Sequence, residues 1–145
     1  EGVDFFCQTA NIPDVSMPTT EVASPFRNLP IIPSGGVTFG DFSVRFIVDE
    51  DLVNYNSIYK WIRDNGNADQ MQRTTKESEI YTNGQLNIVT SQYNPAFVID
   101  YRDIFPVSLS GLQFDATMTD VEYITADVTF KHQQFFIRDK QFKTL

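Results

Sequence analysis

Val37 to Gly66 reads VTFGDFSVRFIVDEDLVNYNSIYKWIRDNG, and the change of period inside this stretch decides the fold. Phe42, Val44, Phe46 and Val48 fall at alternate positions with Ser43 and Arg45 between them, the pattern of a strand with one buried face. The spacing then shifts. Leu52, Tyr55, Ile58, Tyr59 and Ile62 recur three and four residues apart, which makes one apolar stripe of a helix. Asp49, Glu50 and Asp51 stand where a helix leaves its first N–H groups unpaired, and Asn65-Gly66 offers a left-handed stop. The acidic triplet could also hold a hard cation, but capping accounts for it without a ligand. The spacing predicts a helix over 51–65 packed on a sheet built by the rest of the chain. Its packing core would be Phe42, Val44, Phe46, Tyr55, Ile58, Tyr59, Trp61 and Ile62.

Toward the N-terminus, Glu1 to Ala10 alternates as a strand, with Val3, Phe5 and Cys7 on one face. A sheet that starts mid-element implies a preceding strand ahead of Glu1. Cys7 lies in apolar company and reads as a buried thiol; as the single cysteine it excludes an internal disulfide framework and a cysteine-based zinc site. Residues 11–34 have a different character. Pro13, Pro18, Pro25, Pro30 and Pro33 cut this segment too finely for a helix or a central strand. It nevertheless keeps Ile12, Val15, Met17, Val22, Phe26, Leu29, Ile31 and Ile32, too apolar for a flexible linker. It reads as an ordered arm, with two uses open: burial against a neighbouring chain, or cover for its own domain's core.

Beyond the helix, Asn67 to Ser78 is polar and reads as an exposed, mobile loop. Ile80 to Thr82 and Gln85 to Gln92 read as strands joined by an Asn83-Gly84 hairpin turn. Ala96 to Phe105 follows, is broken at Pro106, and resumes over Val107 to Asp115. In Val121 to Lys131, Ile124, Ala126, Val128 and Phe130 form a buried set opposite Tyr123, Thr125, Asp127 and Thr129. A short apolar run to Arg138 and a charged tail over 139–145 close the chain. The sum is one domain over 1–145, mainly β. It would be an antiparallel sandwich or partly closed barrel with one flanking helix.

The chain carries 19 acidic and 11 basic residues, a formal charge of −8, which excludes wrapping nucleic acid through phosphate contacts. Two readings of that charge stand: plain solubility, or a surface that meets nucleic acid without sticking to it. No run reaches the roughly 18 apolar residues of a membrane span. His132 is the single histidine, no G-x-S-x-G turn frames a nucleophile, and Gly35-Gly36 lacks the pattern of a phosphate cradle. His132 reads as half-buried or solvated. No cofactor or metal shell is indicated. Asp100, Asp103, Asp115, Asp120, Glu122 and Asp127 face Arg102 alone along the sequence, and the sign reverses at Lys131, Arg138, Lys140 and Lys143. Such ends suit head-to-tail contact between identical subunits, or form an ordinary surface of uneven charge.

Four segments in order resemble tail tube proteins of contractile-tailed, myovirus-type bacteriophages. They are FFCQTANIP (Phe5 to Pro13), TFGDFSVRFIVDED with YNSIYKWI, IFPVSLSGLQFD, and ITADVTFKHQQFFI (Ile124 to Ile137). The missing strand ahead of Glu1 departs from that pattern. The resemblance implies a β-sandwich-like fold without catalysis or cofactors. It implies hexameric rings whose strands join into one inner barrel and stack into a tube. Tape-measure protein would fill the tube, a sheath would enclose it, a baseplate would meet it, and DNA would pass without specific binding. The place would be the virion tail, assembled in the host cytoplasm. The arm residues Pro13, Val15, Met17, Val22, Phe26, Leu29, Ile31 and Ile32 would clamp ring to ring. Asp127, Glu122 and Asp115 would line the lumen, and the helix would face the sheath. A tube-initiator, a tail-terminator and an injection-system tube protein share the pattern. A carbohydrate-binding sandwich is more distant, because Tyr93, Tyr101 and Tyr123 are scattered, and a small hydrolase with hidden carboxylates needs geometry that sequence does not give.

Overall fold

The computed structural model describes residues 6–32, 35–66, 80–117 and 122–139. The expected strand start at residues 1–5, the loop over 67–78 and the tail from 140 lie outside the described residues. The strand at the centre of the opening stretch is β6 (Phe42–Ile47), where Phe42, Val44 and Phe46 are buried and Ser43 and Arg45 exposed. It lies between β1 (Phe6–Ala10) and β9 (Thr125–Lys131), both antiparallel to it. Outside β9 comes β8 (Pro95–Leu109), which also pairs with β7 (Thr82–Val89) and β10 (Gln134–Arg138). The result is a strongly curled antiparallel half-barrel of six strands with the helix α1 (Val53–Gly66) packed against it.

The curl is built into β8. Fifteen residues extended would reach about 50 Å, longer than an open twisted sheet keeps flat. Along one edge β8 meets β10 from Val98 to Arg102 and then β9 from Phe105 to Leu109, with the same antiparallel register kept from Val98 to Pro106. Between those two halves, Asp103 takes a left-handed φ of 53°, and the pairing with β7 slips by one residue. A second slip falls between Pro106 and Ser108. Bulges of this kind bend a strand and raise its twist. Pro106 therefore does not break the strand as the sequence suggested. It sits at a bulge, where a missing N–H is tolerated.

The Asn83-Gly84 turn also differs. Both residues lie inside β7, where Asn83 Oδ1 accepts the Asp103 N–H at 3.4 Å. The positive φ that a tight Asn-Gly turn requires is found across the ladder at Asp103 and not at Gly84. The chain reverses instead around Tyr93 (φ 60°), closed by Thr90 N–H to Asn94 C=O and Tyr93 N–H to Thr90 C=O, both 2.8 Å.

The core runs from β6 through β9 to β8. Phe46 and Val128 have no exposed surface, and Phe42 stacks on Tyr101 with ring centres 4.4 Å apart. The helix adds Ile58, fully inside, with Tyr55, Trp61 and Ile62 packed against the same cluster. Tyr59, expected in that core, is 49% exposed. The inward stripe starts from Asn54 and Tyr55, because Leu52 is spent on the turn before the helix at a φ of 56°.

The acidic triplet does not supply the cap, since no acidic side chain stands in the first turn. Buried Asn54 secures this corner. Its Nδ2 donates to Ile47 C=O at 2.8 Å, and its Oδ1 accepts from the backbone N–H groups of Asp49 and Tyr55. Gly66 remains within the helix and has no left-handed φ, so the Asn65-Gly66 stop is not formed there.

Candidate functional site

Residues 11–32 leave the sheet and expose what a self-contained domain would bury. β2 (Val15–Ser16) pairs with β5 (Thr38–Phe39), and β3 (Thr20–Val22) pairs with β4 (Leu29–Ile31) as a small hairpin. Of the expected arm residues, Ile12, Val15, Met17, Val22, Leu29, Ile31 and Ile32 are exposed, and Phe26 at the hairpin tip is 98% exposed. Pro13 alone of that set is buried. The arm therefore does not cover its own domain's core. Removing these side chains from water would be worth roughly 25 cal/mol per Å², a driving force that the isolated chain leaves unused.

The six-stranded sheet presents the opposite surface chemistry. Its strands carry four cations, Arg45, Arg102, Lys131 and Arg138, against three carboxylates, Asp100, Asp103 and Asp127. The charge of −8 therefore resides elsewhere in the chain. Arg45 grips Asp127, directly opposite across β6 and β9, through Nε at 2.8 Å and Nη2 at 3.1 Å. That bond holds the Asp127 carboxyl below the usual carboxylate range. Asp100 receives Arg138 at 2.7 Å and Gln85 at 2.8 Å, and Lys131 reaches Asp41 at 3.0 Å. Both partners of the Arg45–Asp127 pair are half-exposed, so the pair sets cross-strand register more than stability.

The other two expected lumen acids lie off the sheet. Asp115 caps a turn through the Thr117 hydroxyl and N–H, and Glu122 is exposed in the approach to β9. The acidic run seen along the sequence is thus divided between paired strand positions and a loop.

A third cluster joins the arm's return to the sheet. His132, at the bend between β9 and β10, lies against Phe39, Tyr101 and Phe135, with ring centres 5.2–5.9 Å apart. Both its ring nitrogens and Tyr101 Oη are enclosed without a hydrogen-bond partner. Burial pushes His132 below its ordinary value, opposed by the Asp41 carboxylate, and pushes Tyr101 up to about 12. Such a histidine is a neutral packing group. Cys7, expected inside, is exposed. Its strand is the sheet's edge among the described residues, so one side of it has no covering neighbour.

Among the described residues, no three His, Cys, Asp or Glu side chains gather into a metal shell, and no helix is long and apolar enough to cross a membrane. Among the described residues, the geometry is a curled sheet with no strand beyond β1 or β7 and a projecting, exposed apolar arm. A family model for phage tail tube proteins matches residues 1–138, and the chain belongs to that family. It is a structural protein of the phage tail tube and not an enzyme, and its place is the virion tail.

A search among curated proteins gives no match. Solved structures give several. The cap that terminates the anti-feeding prophage tube is 19% identical with a TM-score of 0.63, over 92% of this chain and 80% of that one. A chain of the PVC extracellular contractile injection system, in its extended sheath-tube complex, is 16% identical with a TM-score of 0.62, over 90% and 79%. A chain of the anti-feeding prophage baseplate, 6-fold symmetrised, is 11% identical with a TM-score of 0.65, over 94% and 81%. At these identities the likeness is one of fold. The relatives belong to sheath-tube, baseplate and cap complexes.

Sequence reasoning missed Asn11, Asn54 and the Asp14–Gly40 contact, which hold the arm and the helix in place. The signal for Asn54 was present: it falls four residues before Ile58 and eight before Ile62, an amide on the buried stripe.

Proposed function

We propose that six copies of this chain close into a ring by joining their curled sheets edge to edge, and that rings stack into the inner tail tube. The observation that carries this reading is the exposed apolar arm beside a sheet with open edges. Ring closure would pair the free edge of β7 and that of β1, removing edges that otherwise invite aggregation. The arm, through Val15, Met17, Val22, Phe26, Leu29, Ile31 and Ile32 with Pro13 at its root, is the ring-to-ring clamp. The 6-fold baseplate relative supports the symmetry.

In this reading the polar face of the half-barrel lines the lumen. Asp127 stands there neutralised by Arg45, and Asp115 and Glu122 add acidic charge from the adjoining loop. A polyanion meets few unpaired cations on such a wall, so tape-measure protein and then DNA pass without specific binding. The outer face of α1 is turned to the sheath. Assembly takes place in the host cytoplasm and begins on a baseplate.

A tube-initiator or terminator role is the second reading, because chains of baseplate and cap complexes share this fold as the sheath-tube chain does. Negative-stain microscopy and mass photometry of the purified protein separate these. Long tubes with a central hole are expected; single rings that never stack would favour the initiator or terminator, and monomers at high concentration would overturn self-assembly altogether.

A further inference from the structure

The arm's root forms its own two-stranded sheet but keeps the residue register of the β1–β6 ladder: Ala10 lies opposite Val44, and farther along Val15 lies opposite Phe39 and Ser16 opposite Thr38. Between these two paired stretches the ladder would require residue 13 to donate an N–H to Asp41 C=O. Residue 13 is proline and has no such donor. Asn11 makes good the deficit. Its backbone N–H donates to Ser43 C=O at 3.2 Å, as the ladder demands. Its side chain then takes over two ladder bonds: Oδ1 accepts the Ser43 N–H at 2.6 Å in place of Asn11's own C=O, and Nδ2 donates to Asp41 C=O at 3.1 Å in place of the missing residue-13 N–H. With those β6 groups satisfied by a side chain, the backbone is free to turn outward at Ile12-Pro13.

The ladder resumes one residue later, where Gly40 N–H donates to Asp14 C=O at 2.8 Å. A Cβ on Gly40 would run into the exposed Asp14 carboxyl, with Cγ at 2.9 Å, and press on the Asp14 backbone nitrogen at 3.3 Å, so that carboxyl would have to swing aside.

We propose that Asn11 is the positioning residue of the assembly arm, a side-chain amide standing in for the peptide N–H that Pro13 cannot supply, and that Gly40 is its counterpart on the returning strand. The role in assembly rests on the clamp reading above. Together the two residues hold the arm's root stiffly in register with the sheet, in one direction before any partner arrives. Its apolar face then docks without paying ordering entropy at that moment.

The test uses the full chain with Asn11→Ala and, independently, Gly40→Ala. Three readouts are taken: thermal midpoint at a concentration too low for assembly, hydrogen exchange of the Gly40 and Ser43 amides, and the critical concentration for tube formation. We expect an unchanged midpoint, amide exchange faster by about tenfold, and a critical concentration raised by about tenfold. Wild-type exchange in both variants would overturn the lock. Faster exchange with wild-type assembly would overturn the positioning role, and so would a fall in midpoint that matches the assembly loss. If the wild-type chain forms neither rings nor tubes, the clamp reading fails while the exchange data still decide whether Asn11 holds the arm.

Discussion

The sheet and the arm are made from similar proportions of apolar residues and put them to opposite use. Along β6 and β9 every second side chain enters a shared core, to which β8 adds Ile99, Tyr101 and Ile104. Along residues 15–32 apolar side chains alternate with prolines and polar groups, and nearly all of them face water. The difference lies in what each segment can pair with. β6 has strands on both sides and a helix over one face, whereas each arm strand has a single partner of two or three residues. Strands that short bury little by themselves, so the arm's apolar side chains stay exposed in the single chain.

The sharpest way to break this contrast is to remove an aromatic ring from each region. Phe46→Ala, with the side chain wholly inside, is expected to cost about 3–5 kcal/mol in denaturant unfolding. Phe26→Ser is expected to leave monomer stability within about 0.5 kcal/mol while abolishing stacked tubes in the microscope. Equal destabilisation by both would show that the arm belongs to the core after all.

Between these extremes lies the corner at Asn54. Asn54→Ala strands the carbonyl of Ile47 and the N–H of Asp49, and should lower unfolding stability by about 1–3 kcal/mol. An unchanged denaturant midpoint would mean that water replaces the amide there, and that the helix is held by packing alone.

The smallest effect belongs to the cluster where sheet and arm meet. His132 faces Phe39, Tyr101 and Phe135, with Asp41 and Lys131 as the neighbouring charges. Its folded pKa lies below the unfolded 6.5, so the unfolded chain takes up the proton first. Stability must then fall as pH drops below about 6.5. His132→Phe should flatten that decline between about pH 6.5 and 5 in denaturant titrations. An identical pH slope in both proteins would place the acid sensitivity on other groups.

How legible the fold was can be seen at particular residues. Alternation in Phe42 to Ile47 and Thr125 to Lys131 was readable because a half-buried strand leaves a period of two in its own sequence. Asn83-Gly84 misled because a glycine beside an asparagine permits a turn but does not compel one. The left-handed residue was taken up by Asp103 across the ladder. Tyr59 and Trp61 were both expected in the core and only Trp61 packs there, because the inward stripe starts from Asn54 and Tyr55 while Leu52 belongs to the preceding turn.

The arm was visible as an apolar segment cut by prolines, yet nothing in its order of residues said whether it would fold back. The acidic run from Asp100 to Asp127 was real along the chain, and among the described residues it is dispersed in space between strand and loop positions. Arg45 and Arg138 come from 82 and 38 positions away along the sequence to meet two of its carboxylates.

Local pattern, then, was enough for the class of the domain, the position of its helix and the existence of an apolar segment cut by prolines. Each of these is set by spacing and composition within some ten or twenty residues. Tertiary structure alone decided which charges cancel, where the long strand bends, and how a single asparagine carries a ladder past a proline. Those outcomes depend on groups far apart in the chain that meet only after the sheet has closed.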